Sequence, residues 1–157
     1  MCFTVYIYSK WVCSMTIEFL GHLAFEGVLY PYFAFRVPAG FPSPAQDHLE
    51  QEISLDELFN LRAPHTYLVK VAGDSMVQAG IDDGDLLIVD RSREAKHGAI
   101  VVAALNNEPL IKRFCREGAS VVLRSENAKF APRYIMENDE LSVWGVVRFS
   151  VRCHDIS

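Results

Sequence analysis

The stretch Thr66-Tyr-Leu-Val-Lys-Val71-Ala-Gly73-Asp-Ser75-Met76 decides the fold as we interpret this chain. Its apolar first half is typical of a β-strand, and Gly73 then allows the backbone to turn. Such a turn would hold the hydroxyl of Ser75 at a fixed, accessible position. A Gly-Asp-Ser turn is also common in ordinary loops, so this fragment alone does not decide between a nucleophile and a simple turn.

Further β-rich runs follow this stretch, separated by turn-rich pieces. The strand candidates are 66–72, 85–90, 99–104, 109–115, 119–124 and 141–151. Because no helical pattern lies between them, they predict a mainly β fold, built as a folded antiparallel sheet or barrel. Ahead of them, Ser54-Leu-Asp-Glu57 is a capping-box pattern and predicts one short helix.

Length and composition predict one soluble globular domain with a core, since half of the 157 residues are apolar. The formal net charge of -5 argues against a protein that by itself binds the phosphate backbone of a nucleic acid. The cysteines Cys2, Cys13, Cys115 and Cys153 lack metal-ligand spacing, which favours free thiols in a reducing cytoplasm and no metal site. No apolar run reaches the ~20 residues of a membrane span.

The first part of the chain is interpreted as an arm. Residues 15–39 are rich in aromatic side chains, and prolines and glycines interrupt them, which excludes one long helix. These rings either lie against another apolar surface or form the first part of the core. Met15 is a second plausible start, so residues 1–14 are interpreted as an upstream extension.

Residues 36–46 contain three prolines and are predicted to be extended. The small residues of the Ala39-Gly40 bond at their centre are of the kind that a protease nucleophile can reach. A rigid spacer between the arm and the rest of the chain explains the same pattern.

The segment Leu110-Ile-Lys112-Arg-Phe114 places a lysine within an apolar strand. Alternation puts Lys112 on the same face as Leu110 and Phe114, among apolar neighbours. Burial disfavours a charged amine, whereas at the ordinary lysine pKa of ~10.4 neutrality at pH 7 costs about 4.6 kcal/mol. Lys112 is therefore the candidate general base for a Ser75 nucleophile, with backbone N–H groups near Ser75 and Met76 as candidate oxyanion donors. The alternative is an edge strand that carries Lys112 outward.

A histidine could also activate a serine, but none of the five lies in a recognisable triad motif. His65, just before the strand that leads to Ser75, is the one histidine worth comparing with Lys112.

Several motifs follow one another in an order known from one family. They are Phe41-Pro-Ser-Pro-Ala-Gln-Asp47, Gly73-Asp-Ser-Met76, Gly84-Asp-Leu-Leu-Ile-Val-Asp90, His97-Gly98 and the strand with Lys112. Together they resemble the UmuD type of the LexA/UmuD family of self-cleaving serine peptidases. The likeness covers roughly residues 40–150 and, more loosely, the arm at 15–39.

The resemblance implies a homodimer with a catalytic β-domain at 40–157 and a mobile N-terminal arm at 1–39, which self-cleavage between Ala39 and Gly40 removes. Ser75 would be the nucleophile and Lys112 the general base, with no cofactor. RecA filaments on single-stranded DNA would stimulate the cut during the SOS response. The shortened form would then join a UmuC-like Y-family DNA polymerase in error-prone lesion bypass.

The chain also departs from the family pattern. UmuD members often have cysteine where Ala39 stands, and Pro38 narrows the backbone shapes available before the bond, which would change the cleavage rate. The DNA-binding domain of LexA has no counterpart here, which argues against a transcription regulator and against strong sequence-specific DNA binding. Two further alternatives are a β-sheet docking module for a polymerase with a silent Ser–Lys pair, and a signal-peptidase-like hydrolase.

Overall fold

The computed structural model describes residues 18–19, 29–32 and 51–154. Within these ranges the chain is mainly β, with one α-helix and one short 3₁₀ turn at Val77–Ala79. The elements are β1 (Glu18–Phe19), β2 (Leu29–Tyr32), β3 (Gln51–Ser54), α1 (Leu55–Phe59), β4 (Thr66–Lys70), β5 (Leu86–Asp90), β6 (Ile100–Leu105), β7 (Glu108–Glu117), β8 (Ser120–Arg124), β9 (Arg133–Tyr134) and β10 (Leu141–Val151).

Eight strands form one sheet in the order β1-β4-β5-β10-β6-β7-β8-β9, and β2 pairs with β3 in a second, small sheet. Every pairing is antiparallel, which confirms the predicted mainly β, antiparallel fold. The six strand candidates are all present, with ends within two residues of the predicted ones. Sequence patterns missed the short strands β1, β2, β3 and β9, because two to four residues carry too little periodicity.

The long strand β10 lies at the centre of the main sheet, between β5 and β6. Its register shifts between Val143 and Gly145 on the β6 side and between Val147 and Phe149 on the β5 side. Such irregularities bend a strand and increase its local twist. At the first of them only glycine fits, because a Cβ on Gly145 would lie 2.7 Å from Val89 Cγ1 and 3.0 Å from the Asp90 carbonyl oxygen.

Two apolar clusters fill the interior on the two faces of β7. Ile111 belongs to a cluster with Val69, Met76, Leu87 and Val102. Its neighbours in the strand, Leu110 and Phe114, pack in a second cluster, which also contains Val101, Ala103 and Leu123. Odd- and even-numbered residues of β7 thus face different clusters, because successive side chains of a β-strand point to opposite faces of the sheet.

Helix α1 begins and ends as its sequence predicts. The side chain of Ser54 accepts a hydrogen bond from the backbone N–H of Glu57, at 3.4 Å, which caps the first turn. Asn60 ends the helix in the left-handed conformation, with φ of 55°. The helix is short and has no fully buried residue, so it contributes no side chain to the site described below.

In the main sheet, β4, which leads to Ser75, and β7, which carries Lys112, are not neighbours. Three strands lie between β4 and β7, which in a flat sheet would hold them roughly 19 Å apart. Val69 of β4 and Ile111 of β7 nevertheless belong to the same apolar cluster. The sheet must therefore curl so that the end of β4 faces β7 across the interior.

Candidate active site

Residues 71–80, here called the Ser75 loop, follow β4 and include the 3₁₀ turn at Val77–Ala79. Gly73 adopts φ of 97°, a conformation that side chains other than glycine rarely take. Its N–H donates to Asp83 Oδ1 at 2.7 Å, and the N–H of Gly84 donates to the carbonyl of Val71 at 2.9 Å. The following turn at 81–85 thereby fixes the start of the loop against the end of β4.

The Ser75 loop brings its serine to the lysine of β7. Lys112 Nζ lies 2.8 Å from Ser75 Oγ and 3.1 Å from the carbonyl oxygen of Ile111, within hydrogen-bond distance of both. Ser75 is 5% exposed and Lys112 is half-buried. The hydroxyl and the amine are therefore in direct contact at a site largely screened from water.

Burial lowers the pKa of Lys112 below the ordinary lysine value, and desolvation is its cause. The direction follows from the position of the side chain, because removing water from an amine destabilises its charged form. Val101, which is fully buried, pairs with Lys112 across the β6–β7 ladder. A larger fraction of this amine is thus neutral at a given pH than in a lysine exposed to solvent.

Met76 follows Ser75 and is fully buried in the first apolar cluster. Its carbonyl accepts hydrogen bonds from the N–H groups of Ala79 and Ile81, at 2.9 and 3.3 Å, which close the 3₁₀ turn. Among the hydrogen bonds of residues 51–154, none uses the backbone N–H of Met76.

The other sequence candidates lie elsewhere. His65 Nε2 is 3.9 Å from Asp90 Oδ1, at the opposite end of β4 from the Ser75 loop. Lys70, Lys96 and Lys129 are exposed, as expected from their positions in the sequence.

The bond between Ala39 and Gly40 falls in segment 33–50, which connects β2 to β3 and lies outside the described residues. The predicted arm is described only in part. Its residues 18–19 pair with β4 and its residues 29–32 pair with β3. Cys115 is a buried free thiol and Cys153 is exposed, whereas Cys2 and Cys13 lie outside the described residues.

Sequence inspection missed a charged cluster that fixes the turn after the Ser75 loop. Arg152 donates through Nε to Asp85 Oδ1 at 3.0 Å and through Nη2 to Asp85 Oδ2 at 2.7 Å. The same Nη2 lies 2.7 Å from Asp82 Oδ2 and 2.9 Å from the carbonyl of Gly80. Arg152 lies just after β10, so no local pattern could have connected it to residues 80–85.

We expect Asp85→Asn to weaken the fold at neutral pH and to lose this effect in acid. Hydrogen bonds from Arg152 hold the pKa of Asp85 below its ordinary value, although burial acts in the opposite direction. A carboxyl with a lowered folded pKa stabilises the fold above its unfolded pKa, ~3.9, and this contribution is lost as pH falls through the folded pKa. Urea unfolding at pH 7 and at a series of decreasing acidic pH values measures how the difference from the parent shrinks, with the exposed Glu137→Gln as control. Equal stability of Asp85→Asn and parent at pH 7 would contradict the expectation.

A hydroxyl in contact with a partly desolvated lysine is the arrangement of the Ser–Lys class of serine hydrolases, here on an antiparallel β-domain. Comparison with known proteins agrees with this class. Residues 31–148 match the Peptidase S24-like family. The chain therefore belongs to the Peptidase S24-like family, as a UmuD-like member of the LexA/UmuD group.

Three relatives illustrate the match. The chain is 40% identical over 127 residues to Protein MucA of Salmonella typhimurium, and the aligned region covers 80% of this chain and 86% of MucA. It is 39% identical over 123 residues to Protein ImpA of Shigella flexneri, covering 78% of this chain and 83% of ImpA. It is 42% identical over 119 residues to the LexA repressor of Bordetella avium, covering 76% of this chain but 55% of the repressor.

Within the described residues there is neither a metal-binding cluster nor a membrane-spanning helix. No group of three or more histidine, cysteine or acidic side chains there is arranged to hold a metal ion. No helix within those residues has the length and apolar character needed to cross a membrane.

Proposed function

We propose that the chain is a self-cleaving serine endopeptidase that cuts its own bond between Ala39 and Gly40. The observation that carries the proposal is the 2.8 Å contact between Lys112 Nζ and Ser75 Oγ, together with the lowered pKa of Lys112. A serine hydroxyl is a weak nucleophile until a base removes its proton, and an uncharged lysine in contact with it can do so. Membership of a peptidase family supports the same reaction class.

The proposed reaction is an acyl transfer in two steps. Neutral Lys112 takes the hydroxyl proton of Ser75 while Oγ bonds to the carbonyl carbon of Ala39. The tetrahedral intermediate then collapses, the C–N bond to Gly40 breaks, and protonated Lys112 gives its proton to the leaving amine. Lys112 then takes a proton from water while the water oxygen bonds to the ester carbon. The bond from Ser75 Oγ to that carbon breaks, Lys112 returns its proton to Oγ, and the carboxyl group left on Ala39 ionises.

The oxyanion formed in the first step needs hydrogen-bond donors. We assign this role to the backbone N–H of Met76, which directly follows the nucleophile and is not used by another hydrogen bond within residues 51–154. The buried side chain of Met76 anchors this peptide in the first apolar cluster, so the donor does not need to reorganise during the reaction.

The proposed biological role is that of a UmuD-like factor in the SOS response. Its support is the similarity to MucA and ImpA over most of their length. In this proposal the protein is a homodimer in the cytoplasm, and RecA filaments on single-stranded DNA accelerate the cut. The shortened form, residues 40–157, then serves as accessory subunit of a UmuC-like Y-family translesion polymerase.

Incubating the purified full chain at about pH 9.5 tests the proposal, because alkaline pH increases the neutral fraction of a lysine base. We expect mass spectrometry to detect two fragments, residues 1–39 and 40–157, and to detect neither in Ser75→Ala. At neutral pH, addition of RecA filaments is expected to accelerate the same cut. A folded chain that stays intact under both conditions would contradict the proposal and favour a docking module with a silent Ser–Lys pair.

A further inference from the structure

The segment after β8 packs against the Ser75 loop through a buried amide side chain. Asn127 is 8% exposed although it is polar. Its Nδ2 donates to the carbonyl oxygen of Asp74 at 2.9 Å and to Asp74 Oδ2 at 3.2 Å. Its Oδ1 accepts from the N–H of Lys129 at 3.0 Å, so both ends of the amide are engaged and its orientation is defined.

A second contact holds the other side of the loop. The carbonyl of Glu126 accepts the N–H of Gln78 at 2.8 Å, so neighbouring residues of one segment bind the chain before and after Ser75. The carboxylate of Glu126 also pairs with Arg113, which follows Lys112 in β7 and donates to the carbonyl of Gly98 at 2.6 Å. The segment thus connects the Ser75 loop to the strand that carries the lysine.

The bond from Asn127 acts on the peptide group that directly precedes the serine. The carbonyl of Asp74 belongs to the planar Asp74–Ser75 peptide, so fixing its direction also fixes the N–H and Cα of Ser75. A hydroxyl must be held within about 0.5 Å of its productive position, and such positions depend on neighbours whose own orientation is locked. Asn127 meets this requirement because it is buried and bonded at both ends of its amide.

We propose that Asn127 is a positioning residue that holds Ser75 in reach of Lys112. The inference rests on the proposed self-cleavage and extends it to a residue outside the Ser–Lys pair. Among the described residues, the side-chain amide of Asn127 bonds to Asp74 and to the N–H of Lys129, and to neither Ser75 Oγ nor Lys112 Nζ. It therefore acts on the geometry of the nucleophile and not on the proton affinity of the base.

Two variants of Asn127 test this role by the rate of alkaline self-cleavage. Asn127→Ala removes both bonds to Asp74, and we expect the rate to fall about 10- to 100-fold, as small misplacements of reacting groups do. Asn127→Asp fills nearly the same space but replaces the donor by an acceptor facing the carbonyl and carboxylate of Asp74. We expect it to lose at least as much rate. Asn138→Ala, an exposed asparagine in the turn before β10, is the matched control and is expected to cleave as the parent does.

The pH profile separates positioning from a general loss of structure. In Asn127→Ala, which adds no charge, the maximal rate is expected to fall while the pH at which the rate levels off stays that of the parent, because the groups that contact Lys112 Nζ, Ser75 Oγ and the Ile111 carbonyl, are retained. The labelling of Ser75 by a fluorophosphonate probe is expected to slow in parallel. Because this labelling does not involve the Ala39–Gly40 bond, it measures the reactivity of the nucleophile alone. Circular dichroism well below the thermal midpoint identifies a variant that has failed to fold. The maximal cleavage rate of the other, folded variant then tests the positioning role.

The outcomes distinguish this inference from the function it rests on. A folded Asn127 variant that cleaves and labels at the parental rate overturns the positioning role and leaves the self-cleavage intact. A shift of the levelling-off pH with no change in maximal rate also overturns it, since Asn127 would then act on Lys112. A parent chain that neither cleaves nor labels overturns the proposed function, and the inference with it.

Discussion

Lys112→Ala is expected to slow self-cleavage by about 10²- to 10⁴-fold, the range that a positioned general base contributes. The amine lies 2.8 Å from Ser75 Oγ, and no other lysine or histidine is placed there among residues 51–154. Without it, only water is available to take the hydroxyl proton. Lys112→Arg is expected to be equally slow, because a guanidinium keeps its charge at every pH of the experiment.

The measurement is the initial rate at which residues 40–157 accumulate at about pH 9.5, followed by mass spectrometry or gel electrophoresis. The matched control is Lys70→Ala, which removes an exposed lysine from β4 and is expected to cleave as the parent does. We expect Lys112→Ala to remain folded, since it removes a desolvated amine and leaves the hydroxyl of Ser75 able to bind water. Normal cleavage by folded Lys112→Ala would show that Lys112 is not the base.

The pH dependence of self-cleavage is the second large expected effect. Below the pKa of Lys112 the neutral fraction, and with it the rate, increases about tenfold per pH unit, and above it the rate levels off. Because burial lowers the pKa of Lys112, the levelling should occur below the ~10.4 of a lysine in water. The rate should therefore increase roughly 100-fold across the first two pH units of the rising limb.

Initial rates between about pH 6 and pH 10 test this expectation, with circular dichroism recorded at each pH to show that the chain is folded. The linked stability change has the same sign. The unfolded chain binds a proton at Lys112 more tightly than the folded chain, so this residue's contribution to stability increases as pH rises between the two pKa values. A rate that is flat over the whole range would exclude lysine as the base.

Local patterns were sufficient to predict most of the architecture. The short β-rich runs at 85–90, 99–104 and 109–115, bounded by turn-rich pieces, identify strands, and the capping box at Ser54 identifies the start of α1. The two- to four-residue strands were missed because they are defined by their partners. β9, for example, exists because Arg133 and Tyr134 pair with Leu123 and Val122.

The candidate site was predictable in its principal pair but not in its supporting residues. Ser75 follows a strand and a turn glycine, and Lys112 interrupts an apolar strand, so each stands out in its own segment. Their roles in catalysis stay predictions until the variants are measured. Asn127 and Arg152 stand in stretches without a distinctive pattern, and their importance comes from contacts 53 and 67 residues away in the chain.

The sequence by itself determined that the chain is β-rich, which segments form its long strands, and which serine and lysine are chemically unusual. These are local properties, set by side-chain period, turn residues and polarity. Only the tertiary structure decided that Ser75 and Lys112, 37 residues apart, come into contact and that the lysine loses enough water to lower its pKa. Both depend on how β4 and β7 approach across a curled sheet, which results from many weak packing and pairing energies summed over the whole domain and from no single segment.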